Sequence, residues 1–152
     1  MKFFTRGWVR GDMSDEEADA VASAYERHLE TLDLSQSVLE LAGLNPHDGY
    51  ILNVGFEPLT SSLHLRFRCG DQQTGYFDAS LSFSGVTIQS AHLRTLIRAM
   101  RPAEFEILYD EVDRASADVF DYRLLLHPKG EITFQFKNVE VVRQRVADRR
   151  SG

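Results

Sequence analysis

From Asp48 onward, apolar residues recur at every second position, and this constrains the chain more than any other feature. Tyr50, Leu52, Val54 and Phe56 follow the pattern, as do Leu63, Leu65, Phe67 and Cys69, then Phe77, Ala79, Leu81 and Phe83. Successive side chains of a strand point to opposite faces, so the pattern predicts strands with one apolar and one wet face. The wet faces carry His64, Arg66 and Arg68 on one strand and Asp78, Ser80 and Ser82 on the next. Polar-out, apolar-in alternation belongs to an antiparallel sheet open to water on one side. Glu57–Ser62 and Gly70–Gly75 supply the connecting loops.

Alternation resumes at Phe105, Ile107 and Tyr109, and again at Phe120, Tyr122, Leu124 and Leu126. His127-Pro128-Lys129-Gly130 then makes a hairpin into Ile132, Phe134 and Phe136, continuing through Val139 to Val142. Ahead of the strands the period is helical. Ser14 and Glu17 have the spacing of a capping box, and Asp15 and Glu16 suit the positive end of a helix dipole. Ala18, Val21, Ala22, Tyr25, Leu29 and Leu32 share one face of that helix. A second, from about Ser35 to Ala42, stops at Gly43. Leu93, Leu96, Ile97 and Met100 predict a short helix within residues 88–100, ended by Pro102. Phe3, Phe4 and Trp8 predict a docked N-terminal segment over residues 1–12, and the charged residues 143–152 predict a frayed tail. The expected fold is α+β: an N-terminal helix pair packed on a mainly antiparallel sheet of about six strands, with a helical crossover between two three-strand blocks.

The 152 residues fit a single domain spanning 1–152, with no linker or repeat to divide it. A chain of this length buries about 68–70% of its unfolded surface, enough to fold without a disulfide or metal. The net charge of −6 opposes broad nucleic-acid binding, which needs Lys and Arg against phosphates, and suits a basic partner. The lone Cys69 ends an apolar alternation and reads as a small core residue. No apolar run approaches the ~20 residues of a membrane span. The opening MKFFTRGWVRGD lacks a signal-peptide apolar region, so the expected location is the cytoplasm.

Few residues carry a chemical signature. His47-Asp48 has the look of half a metal-binding pair, but His28, His64, His92 and His127 are scattered without ligand spacing, and the expectation is that no cofactor binds. Asn45, Pro46, Asp48 and Gly49 alternatively make a turn into the first strand. Asp110, Glu111 and Asp113 form an acidic cluster that suits acid–base work, a hard cation or a solvated strand end. Ser14, Ser35, Ser84 and Cys69 are nucleophiles by residue type alone, with no GxSxG elbow; no P-loop or GxGxxG occurs. The His64, Arg66 and Arg68 stripe reads either as cross-strand pairing with Asp78 or as a recognition surface.

KFFT at the start, His47-Asp48 leading into a strand, LYDEVD at Leu108–Asp113, and the closing hairpin RLLLHPKGEITFQFKNVEV at Arg123–Val141 together carry a likeness. On these motifs the chain resembles a group of small, largely uncharacterised bacterial proteins often seen among the immunity proteins of toxin systems. The resemblance implies a partner toxin that is bound and blocked, and it implies no catalytic residues. The functional expectation is a non-catalytic, inhibitor-type module with a protein partner, a basic toxin. Its binding surface would be the acidic edge Asp110, Glu111 and Asp113, the sheet stripe His64, Arg66 and Arg68, or an acidic helix surface. The alternative is a small metal-dependent enzyme or ligand-binding protein using His47, Asp48 and Glu111.

Overall fold

The computed structural model describes residues 1–101 and 104–149; Pro102, assigned above as a helix stop, lies outside them, as do residues 150–152 of the tail. The helices are α1 (Arg6–Val9), α2 (Asp15–Thr31), α3 (Gln36–Ala42) and α4 (Ser90–Arg98). The strands are β1 (Tyr50–Glu57), β2 (Ser62–Asp71), β3 (Gly75–Ser84), β4 (Thr87–Ile88), β5 (Glu106–Ser116), β6 (Val119–His127), β7 (Glu131–Phe136) and β8 (Asn138–Val146). The α+β class and the antiparallel pairing follow the sequence pattern. The strand count does not: among the described residues there are eight strands in two four-stranded sheets, ordered β1-β2-β3-β8 and β4-β7-β6-β5.

A bent ribbon accounts for the difference. β3 pairs with β8 up to Ser84 and Asn138, and beyond the bend β4 pairs with β7 at Thr87 and Gln135. Two continuous antiparallel stretches thus turn a corner together and pass from one sheet to the other. Gly85 sits at the corner with φ +64, where a Cβ would come within 2.8 Å of the Lys137 side chain. On the far side, Gly49 bridges Ile107 and so joins β1 to β5. A Cβ on Gly49 would fall 2.6 Å from Pro46 O and 2.7 Å from Arg68 O, so no larger residue fits that approach.

The two inner faces form one core. Leu63, Leu65, Phe67 and Leu81 from one sheet meet Tyr122, Leu124, Phe134 and Phe136 from the other, each 2% exposed or less. Phe83 makes ring contacts with Tyr122, Phe134 and Phe136 across the interface. Two bulges shift the expected alternation. The β1–β2 register slips between Ile51 and Asn53, which buries Ile51 and turns Tyr50 outward. The β5–β6 register slips between Ile107 and Tyr109, so Asp110 and Val112 face inward with Leu124 and Tyr122. One extra residue reverses every side chain beyond it.

α2 begins with the predicted capping box: Ser14 Oγ accepts from Glu17 N, and the Glu17 carboxylate accepts from Ser14 N. α3 ends at Gly43 and lies against β8 and β5, the terminal strands of the two sheets. Residues 143–146 are not frayed, because β8 runs on to Val146 in register with Tyr76. No helix among the described residues is long and apolar enough to cross a membrane.

Candidate functional site

Glu111 is not on an exposed edge. It is 1% exposed, beneath the N-terminal segment, and accepts three backbone N–H bonds: from Lys2 at 2.7 Å, Phe3 at 2.6 Å and Phe4 at 2.7 Å. Successive amides converging on one carboxylate make a nest turned on the protein itself. Asp113, on the same face of β5, takes His28 Nε2 at 2.8 Å and Lys2 Nζ at 3.2 Å. Burial acts to raise its pKa, but those bonds and the Arg114 amide outweigh it and hold the carboxyl down at about 2. Asp110 points the other way. Tyr122 donates to its Oδ2 at 3.0 Å, and burial pushes its carboxyl up to about 7. The expected acidic edge is therefore three carboxylates with separate structural roles, and the exposed rim assigned to it does not form. Phe4 stacks on Tyr109 and meets Tyr25 and Trp8 edge-on, which sets the N-terminal segment against α2 and β5.

His47 and Glu111 engage different neighbours. His47 lies against Tyr109, and its Nδ1 approaches Asp48 Oδ1 at 3.0 Å without a hydrogen bond. Asp48 has φ 57, its amide bonds Ile107 O, and it makes the turn into β1. Among the described residues no three His, Cys, Asp or Glu side chains are grouped to hold a metal ion. Cys69 is buried, which pushes its thiol up to about 12 and keeps it protonated at neutral pH.

The sheet stripe divides. Arg68 is 4% exposed and bonds Asp78, itself 2% exposed. Burial acts to raise the Asp78 pKa, but the Arg68 and Arg66 guanidiniums together lower it. Arg68 also donates to Asp148 O and Arg149 O, which holds these two residues over it, while Arg149 bonds Glu106 and lies on Tyr50. Arg66 is 48% exposed, and His64 is exposed beside Ser82. Of the three, then, only His64 and Arg66 are presented to solvent.

The third candidate, an acidic helix surface, is located once charge is counted by segment. Between Asp12 and Asp33 the chain has eight acidic residues and one basic one, Arg27; everywhere else sixteen basic residues face fifteen acidic. The whole net charge thus sits on and around α2. All eight carboxylate residues are exposed, and among the described residues only Glu17 uses its side chain in a bond. Glu16, Asp19, Glu26 and Glu30 share the side of α2 opposite Tyr25, over about 20 Å of helix at 1.5 Å per residue. The inner side is pinned: Tyr25 Oη accepts from Val112 N at 2.8 Å, and Ala18 O accepts from Trp8 Nε1 at 3.2 Å. Segment-by-segment charge was the signal that could have located this face from sequence.

Comparison with known proteins gives no matching family model, no matching curated protein and no matching solved structure.

Proposed function

We propose that this chain is a non-catalytic protein-binding module of the immunity type, which occludes a basic partner, a bacterial toxin, with the outer face of α2. The supporting observation is the concentration of unpaired negative charge on one rigidly held helix. A preformed surface loses little entropy on docking, and opposite potentials accelerate encounter. The carboxylates that could otherwise suggest catalysis are engaged internally: Glu111 by three amides, Asp78 by two guanidiniums, Asp113 by His28 and Lys2. The cytoplasm is the proposed compartment.

The test is capture from the source organism followed by kinetics. Proteins retained by the wild-type chain and lost with Glu16→Lys/Asp19→Lys/Glu26→Lys are identified, and association is measured against salt. The reading expects a basic partner whose association slows at least about tenfold in the variant at low salt. Arg66→Glu serves as a control with a smaller expected effect.

A further inference from the structure

β8 changes character halfway along. Val139, Val141, Arg143 and Arg145 occupy alternate positions and therefore one face, in register with Phe83, Leu81, Ala79 and Phe77 of β3. The two valines cover the core, and the same face then continues as two arginines. There they line a surface cleft of about 510 Å³ with Thr74, Tyr76 and Phe77. Arg143 is fixed in place: its Nη2 donates to Glu40 O and Gly43 O at the end of α3, and its guanidinium lies 5.6 Å from the Phe77 ring centre. Arg145 is exposed and makes no side-chain bond among the described residues. The nearby turn carboxylate, Asp71, is occupied by the Gln73 amide and by the Thr74 amide and hydroxyl. The charges lining the cleft are therefore all positive, in a chain of net charge −6.

We infer that this cleft is a binding site for a small oxyanion carried on a flat apolar body. A guanidinium presents parallel N–H donors that match a phosphate or carboxylate, and Arg145 has its whole fork available. Phe77, on the same face as the two arginines, offers ring surface beside the Arg143 guanidinium for the body of the ligand. The site is independent of the α2 face and owes nothing to the identity of a protein partner.

Phenyl phosphate, benzoate and inorganic phosphate are titrated separately into the isotopically labelled chain and into Arg145→Gln, with amide resonances as the readout. Phenyl phosphate or benzoate should give saturable shifts confined to residues 74–77 and 143–146. Either should bind at least about tenfold more weakly to Arg145→Gln, the scale of one charge-assisted hydrogen bond. The tighter of the two identifies the oxyanion as phosphate or carboxylate. Inorganic phosphate should bind more weakly than phenyl phosphate. The inference is overturned by the absence of saturable shifts with both aromatic ligands, by unchanged affinity in Arg145→Gln, or by equal affinity for free and phenyl phosphate. Among the described residues the Arg145 side chain holds no internal bond, so the variant's amide spectrum should otherwise overlay that of the wild type.

Discussion

Asp110 and Glu111 are adjacent on β5 and point to opposite faces, and their surroundings give them opposite roles. Glu111 is satisfied by three amides, so its loss would strand buried donors. Glu111→Ala should cost about 2–4 kcal/mol in chemical denaturation and open residues 1–9 to limited proteolysis; an unchanged midpoint with a protected N-terminus would contradict the nest. Asp110 behaves differently because burial raises its folded pKa to about 7, above the ordinary 3.8. Between those values the folded chain binds the extra proton, so Asp110 favours folding less and less as pH rises from about 4 to 7. Asp110→Asn removes that dependence. The stability of the variant relative to wild type should therefore increase from pH 5 to pH 8 in urea denaturation, and a constant difference would place the carboxyl in solvent. Neither role could be read locally: the Glu111 partners lie 107–109 residues away, and the inward turn of Asp110 depends on a bulge that adds no residue type of its own.

At the scale of elements, signals contained within a few residues survived intact. Ser14 and Glu17 define the start of α2 because both halves of the capping box are three residues apart, and Gly43 ends α3 for an equally local reason. The 88–100 periodicity became α4. The β2 and β3 alternation held its phase throughout, burying Leu63, Leu65, Phe67, Ala79, Leu81 and Phe83. It failed where pairing geometry intervened, at the bulges near Leu52 and Leu108 and at the Gly85 corner, which divides the ribbon into β3, β4, β7 and β8. The inner-face assignment has a direct check. Leu65 and Phe134 are each 2% exposed, on opposite sheets of the shared core. Leu65→Ala and Phe134→Ala should each cost about 2–5 kcal/mol at equilibrium. Losses below about 1 kcal/mol for both would mean the faces are exchanged.

For the whole molecule, the separation of charge matters more than its total. Outside Asp12–Asp33 the chain carries nearly balanced charge, whereas α2 and its flanks hold the excess, and α2 is tied to β5 through Tyr25 and His28. Overall composition pointed to a basic partner and left an acidic helix surface as one of three candidate faces, since a net charge is a sum that does not say where the eight acids of Asp12–Asp33 lie. Electrostatic steering by such a face should show strongly in association rates and weaken as salt shortens the Debye length from about 30 Å at 0.01 M to about 8 Å at 0.15 M. The most direct measurement is the association rate of the captured partner with wild type and with Glu16→Lys/Asp19→Lys/Glu26→Lys across that salt range. The account predicts a steep salt dependence for wild type and at least about a tenfold slower, flatter response for the variant, with circular dichroism unchanged. Equal rates and equal salt slopes for the two proteins would contradict it.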